Sequence, residues 1–335
     1  MRPAEVAKPL GVFVLVVVVV VAGTAVVSLA VESDSPSEPD SESVRGQSPG
    51  QFEPDRVNPD VDPETGELTI TDEEGHKRIL VDNRHDNRLS RDEIGPVVEA
   101  LTEAGHEVDF GASTGSGNFG TDDYNTTLRK YDAVVVAFPT RSFTEGERLA
   151  LRNFTENDGR VVVLAEPPQT VISGAGFAAT ANRITFGADD TTWNYGVRTG
   201  VEALYNMDDD ATDNNFRSID AEPVADDNLT EGVEEISFDY AGYAVINDST
   251  DAEVLFTASD GTRKLETRRT GTFPTVVRND TMVFVADSDF ITTSELYDAD
   301  NEVFVSNLMN FLVSGDKPDD VPRTPGAEGI NETDF

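Results

Sequence analysis

Apolar residues fall along this chain in two rhythms. Ala133-Val134-Val135-Val136-Ala137-Phe138 is a continuous apolar run closed by Pro139, the pattern of a strand covered on both faces. Thr144 and Glu147 then stand three apart, a capping box that starts a helix with Leu149, Ala150 and Phe154 on its apolar side. Asp158-Gly159 stops that helix. A second continuous run, Val161-Val162-Val163-Leu164-Ala165, ends at Glu166-Pro167-Pro168. Strand, helix and strand in so short a unit predict a parallel, right-handed crossover. In such a sheet the functional surface lies beyond the carboxyl ends of the strands. Here those ends read Phe138-Pro139-Thr140-Arg141 and Ala165-Glu166-Pro167-Pro168, and neither sets a nucleophile beside a base.

The same rhythms recur on both sides. Ile79-Leu80-Val81 predicts a first strand ending in the polar loop Asp82-Asn83-Arg84-His85-Asp86-Asn87. Ser90 and Glu93 form another capping box, and Ile94, Val97, Val98 and Leu101 follow at helical spacing up to Gly105. Glu107 to Phe110 reads as a short strand. Gly111 to Gly120 is rich in Gly, Ser and Thr, but it lacks a Gly-Lys-Ser/Thr ending and no clear helix follows, so phosphate binding is not expected. Beyond Pro168 the pattern weakens, and 173–251 reads as an irregular insert. Order returns with Val254 to Ala258. Asn279-Asp280 between Phe273–Arg278 and Thr281–Ala286 predicts a hairpin. Its second arm ends in Asp287-Ser288-Asp289-Phe290. Val303, Phe304, Leu308, Phe311 and Leu312 mark a last helix, stopped by Ser314-Gly315, and 316–335 is expected to be a disordered tail.

The amino-terminal end differs in kind. Leu10 to Val31 is almost wholly apolar, long enough to span a bilayer. Arg2 and Lys8 precede it and Glu32, Asp34, Glu38 and Asp40 follow, so residues 1–9 are expected in the cytoplasm and everything after the span outside. Its length favours an uncleaved anchor over a signal peptide with a small-residue site at Ser28-Leu29-Ala30. The segment 32–77 is rich in Ser, Pro, Asp and Glu and is expected to be a disordered stalk and lead-in to a folded domain at 78–315.

Charge narrows the classes of partner. The 335 residues hold 64 Asp and Glu against 25 Lys and Arg, a net charge of −39, with acids spread along the chain. That suggests the solvated surface of a protein that works in high salt, a simpler reading of spread acids than a cation-binding or basic-partner surface, and no basic patch meets nucleic acid. The absence of cysteine removes thiol catalysis, thiolate metal sites and disulfides. Of His76, His85 and His106, only His85 sits at a strand's carboxyl end. With Asp82, Asp86, Asp287 or Asp289 it would hold a metal if the two loops met; solvated loop acids are the simpler reading, and neither metal nor cofactor is expected. No Gly-x-Ser-x-Gly elbow occurs. The remaining ligand-binding candidates are Asn83, Arg84, Arg141 and Glu166. Glycosylation candidates are Asn125, Asn153, Asn228, Asn247, Asn279 and Asn331, each in Asn-x-Ser/Thr.

Two stretches carry a resemblance. Tyr131 to Val136, with Thr144-Glu145-Gly146-Glu147 and Phe154 to Val163, resembles proteins of the class I glutamine-amidotransferase-like fold. Val285 to Phe290, followed by Asn307 to Leu312, resembles the closing strand and helix of gliding-motility-type ABC-transporter auxiliary proteins. With the anchor and the acidity, the chain looks like a haloarchaeal member of domain-of-unknown-function family 4350. The resemblance implies a flavodoxin-like three-layer α/β sandwich with a mostly parallel sheet, preceded by one transmembrane helix and a disordered stalk. Amidotransferases carry a cysteine on the elbow after a central strand. The corresponding turn here is Phe138-Pro139-Thr140, so no catalytic residue carries over. The expected function is a membrane-anchored, outward-facing binding or scaffold domain, auxiliary to a membrane transporter or complex. The alternative is a hydrolase or metal-dependent enzyme using the loop acids and His85.

Overall fold

Strands that are apolar on both faces need a layer of helices on each side. The computed structural model describes residues 64–71, 75–85, 87, 89–111, 121–139, 143–167, 195–208, 211–212, 215–248 and 250–323, and it has that arrangement. In chain order the elements are β1 (Arg78–Val81), α1 (Gly95–Glu103), β2 (Glu107–Phe110), α2 (Thr121–Leu128), β3 (Ala133–Ala137), α3 (Glu145–Thr155), β4 (Arg160–Leu164), β5 (Val197–Thr199), β6 (Leu204–Tyr205), β7 (Ser218–Pro223), β8 (Ile236–Asp239), β9 (Ala244–Ile246), β10 (Glu253–Ala258), β11 (Arg263–Lys264), β12 (Pro274–Asn279), β13 (Met282–Val285) and α4 (Asn301–Val313).

The main sheet has nine strands in the order β2-β1-β3-β4-β13-β12-β10-β7-β8. Its first five are parallel. The other four continue it antiparallel. Counted by themselves, the parallel strands follow the doubly wound order 2-1-3-4-5. Side chains alternate between the two faces. Ile79, Val81, Val135, Val162, Leu164, Val283 and Val285 pack with α1 and α4. Leu80, Val134, Val136, Val161, Val163 and Phe284 pack with α2 and α3. The chain is an α/β sandwich with a mixed sheet.

The capping box at Thr144 is formed: Thr144 accepts from the Glu147 amide, and the Glu147 carboxylate accepts from the Thr144 amide at 2.7 Å. At the other end of α3, Asp158 takes a positive φ of 68°, and a Cβ on Gly159 would lie 2.4 Å from the Phe154 ring. Gly159 is thus needed for the close approach of that buried ring. The Asn279-Asp280 hairpin is present, with Asp280 at φ 46°.

Four expectations need correction. A helix, α2, does follow the glycine-rich loop; it has eight residues with polar Asp, Asn and Thr, so helical periodicity had only Tyr124 and Leu128 to show. The part of 173–251 that is described contains β7 and β8 of the main sheet and three strands of two small sheets. Short strands of two to six residues with single turns between them leave little pattern to read. The lead-in, expected to be disordered, is held where it is described: the Thr69 and Thr71 amides donate to Ser306 and Asn310 of α4. The tail is held as far as Arg323, with Val321 and Lys317 buried, Arg129 donating to the Pro322 carbonyl and the Arg323 amide donating to Asn153. The candidate membrane span at 10–31 lies outside the described residues.

Two glycines separate packing from backbone effects. Gly95 opens α1 with nothing within 4 Å of an added Cβ. Gly95→Ala should raise stability by about 0.5 kcal/mol, whereas Gly159→Ala should lower it by about 1–3 kcal/mol through overpacking. Urea-unfolding midpoints of the two variants against the parent check this pair.

Candidate functional site

The topological switch point lies between β1 and β3, whose crossovers leave in opposite directions, and ligands of doubly wound sheets bind there. The residues that meet at this point come from three segments. Asp82 follows β1 and, by alternation, points to the α2/α3 face. One of its oxygens accepts the Arg84 amide at 2.9 Å. That tight turn brings His85 back, so that its Nδ1 lies 2.6 Å from the other oxygen. The Nε2 of the same ring is 3.5 Å from Glu147 Oε2. Glu147 is fixed by the capping box of α3, which begins just after β3. Phe143 stacks on the imidazole with ring centroids 3.4 Å apart, and Tyr124 of α2 meets it edge-on at 5.8 Å. The Tyr124 hydroxyl is 3.5 Å from Asp82. His85, Asp82, Glu147 and Tyr124 are all buried.

The electrostatics are those of a buried imidazolium. Burial alone would drive the His85 proton off, but the Asp82 and Glu147 carboxylates outweigh it and raise the pKa to about 9. Burial would likewise raise Glu147, yet its bonds with His85 and with Thr144 bring it down to about 2. The Tyr124 hydroxyl is pushed well up, by burial first and then by Asp82 and Glu147, and stays neutral. Just outside, a cleft of about 380 Å³ is lined by Leu80, Arg84, Asp109, Phe110, Gly111, Thr127 and Tyr131.

A second group lies at the ends of β4 and β13. Leu164 pairs with Val285. The same register two residues on sets Glu166 beside Asp287, both toward the α1/α4 face. Glu166 Oε1 accepts the Ser288 amide at 2.8 Å and its hydroxyl at 2.6 Å. Asp287 Oδ1 accepts the amides of Asp289 at 2.6 Å and Phe290 at 3.3 Å. Glu166 Oε2 and Asp287 Oδ2 are buried without a hydrogen-bond partner. Burial first, then Asp289, raises Glu166 to about 7. Burial first, then Glu166, raises Asp287 well above the usual carboxylate range. Asp289 is also raised, by desolvation and by Asp239, Glu295 and Glu93.

These placements divide the candidates read from sequence. Asp82, Asn83, Arg84 and His85 come together, as do Glu166, Asp287 and Asp289. Arg141 and Asp86 lie outside the described residues. The two loops proposed to share a metal do not meet. β3 and β4 stand between β1 and β13, three strand spacings or about 14 Å, and His85 and Asp287 sit on opposite faces. Among the described residues no three His, Asp or Glu side chains are placed to hold a metal. At the elbow after β3, Phe138 has φ 45°. The sharp turn exists with a phenyl ring in place of a nucleophile. Of the glycosylation candidates, Asn125 is buried, Asn153 and Asn279 are hydrogen-bonded within the domain, Asn228 and Asn247 are exposed on turns, and Asn331 is outside the described residues. Tyr124, Phe143 and the second role of Glu147 were not anticipated. Glu147 is legible as a cap, and only the fold shows that its carboxylate also faces a histidine 62 positions earlier.

A family model described as "Domain of unknown function (DUF4350)" matches residues 97–309. The chain belongs to this family. No curated protein matches it in sequence. Among solved structures, the "mmIFT52 N-terminal domain" is similar at 9% identity and TM-score 0.54, over 71% of this chain and 98% of that one. A ThuA-like protein from Parabacteroides merdae has 12% identity and TM-score 0.41, over 73% and 98%. The glutaminase domain of Trypanosoma brucei CTPS has 10% identity and TM-score 0.38, over 70% and 93%. At these identities the first likeness concerns the fold of the DUF4350 domain alone.

Glu147→Gln tests the clamp. Gln keeps the capping box but removes the charge facing His85. A carboxylate with a depressed pKa contributes stability above its unfolded value, and that contribution is lost as pH falls through the folded one. The variant should be less stable by roughly 2 kcal/mol at neutral pH. The difference should close as pH falls from the ordinary 4.5 toward about 2, as read by chemical denaturation across that range.

Proposed function

We propose that this chain is a membrane-anchored, extracytoplasmic binding or scaffold domain, auxiliary to a membrane complex or transporter, whose switch point is structural and not catalytic. The observation that carries this reading is the filling of the crevice. His85 is clamped between Asp82 and Glu147 and stacked on Phe143, so the group best placed to act as a base offers no open lone pair. Phe138 on the elbow supports the same reading. The competing hydrolase or metal enzyme would need His85 open and its loop beside Asp287, and the strand order keeps them apart.

The anchor rests on the apolar segment Leu10 to Val31 and the charges around it. Among the described residues no helix is long and apolar enough to cross a membrane. The outward orientation rests on the basic residues before the segment and the acidic stalk after it. An acidic surface with few lysines suits contact with salt-rich solvent.

Full-length protein with a carboxyl-terminal tag should fractionate with membranes, and protease added to intact cells should remove the tag while a cytoplasmic marker survives. Protection of the tag in intact cells, with digestion only after lysis, would contradict the reading. Cross-linking in native salt should then retrieve membrane-complex subunits.

A further inference from the structure

Two carboxyls buried side by side, each with one oxygen unpartnered, need something between them. Leaving two such charges together in the interior would be strongly unfavourable. Glu166 and Asp287 are 2% and 0% exposed and each lies two residues beyond the end of one of two adjacent parallel strands. Each spends one oxygen on the Ser288 to Phe290 turn. The free oxygens are Oε2 of one and Oδ2 of the other. We infer that Glu166 and Asp287 share a single proton, Oε2–H–Oδ2, and that this bond is a clasp holding the ends of β4 and β13 together until alkaline conditions remove it.

The surroundings favour the shared proton over two charges. The groups that face the pair are Ser288 from the turn after β13, Asp289 from the short helical turn Asp289–Ile291, and Asp239 from the end of β8. Glu295 and Glu93 face Asp289 in turn, from the segment before α4 and the approach to α1. All of these except Ser288 are acids. None of Glu166, Asp287 and Asp289 has an ion pair among the described residues. With the proton bound, the pair carries one negative charge, which the Ser288 hydroxyl and the turn amides already solvate. On its loss to solvent the second charge meets only other acids. Among the described residues the Ala165 amide, bonded to the Val285 carbonyl at 2.9 Å, is the last backbone link between β4 and β13. The turn that would move therefore runs from Asp287 to Phe290, at the carboxyl edge of the sheet, where the exposed Asp289 faces solvent.

Amide substitutions mimic the protonated state. In Glu166→Gln the amide nitrogen donates to Asp287 Oδ2 while Oε1 still accepts from Ser288. In Asp287→Asn the amide donates to Glu166 Oε2 while Oδ1 still caps the turn. The readout is the hydrogen-exchange protection of the Ser288 and Asp289 amides, after correction for intrinsic exchange. In the parent protein that protection should fall at least about tenfold between about pH 6 and about pH 9. In either variant it should stay nearly constant across that range. Two variants are used because one alone could misfold. Equal loss in parent and variants would overturn the clasp. So would full protection in the parent at high pH, or its restoration there by magnesium alone, since a metal would then occupy the place assigned to the proton.

Discussion

A buried imidazolium held between two carboxylates ties the first strand of this domain to the helix after its third. Asp82 lies at the end of β1, Glu147 in the first turn of α3, and His85 bridges them across the switch point. Removing His85 would leave two buried carboxylates without their cation, which costs more than the intact set contributes. The clamp therefore constrains the whole edge. It fixes where α3 begins and holds Phe143 against the imidazole. It fills the crevice that other doubly wound sheets leave open for a ligand. The open cleft beside it is displaced to the β1 and β2 side, where Arg84, Asp109 and Tyr131 line it.

The other face of the same edge solves the burial of charge differently. Among the described residues no cationic side chain pairs with Glu166 or Asp287, so the interior holds a proton back where the His85 side holds an extra one on. Both arrangements follow from the alternation of strands that are apolar to their last residue and acidic immediately after it. Val81 precedes Asp82, Ala165 precedes Glu166, and Ala286 precedes Asp287. In a chain with a net charge of −39 such acids could pass for solvated surface. The fold makes these three buried and gives each a specific task.

That contrast marks how far the sequence could be read. Continuous apolar runs named β1, β3, β4 and β13 and placed their carboxyl ends as the surface of interest, because both-face burial is a property of composition. The capping box at Thr144 and the hairpin at Asn279-Asp280 were legible because their chemistry is local. α2 was missed because eight residues with two apolar anchors carry too little period. β7 and β8 were missed because strands that extend an existing sheet need no strong pattern of their own. The pairing of His85 with Glu147, and of Glu166 with Asp287, depends on strand order and register. No spacing in the sequence encodes either.

The clamp depends on His85 being a fixed cation. The side-chain resonances of His76, His85 and His106 can be followed separately by NMR as pH is raised. His85 should keep both ring nitrogens protonated through neutrality and titrate near 9. A His85 midpoint close to the ordinary 6.5, with one nitrogen free at neutral pH, would instead show an available base at the switch point and no fixed cation there.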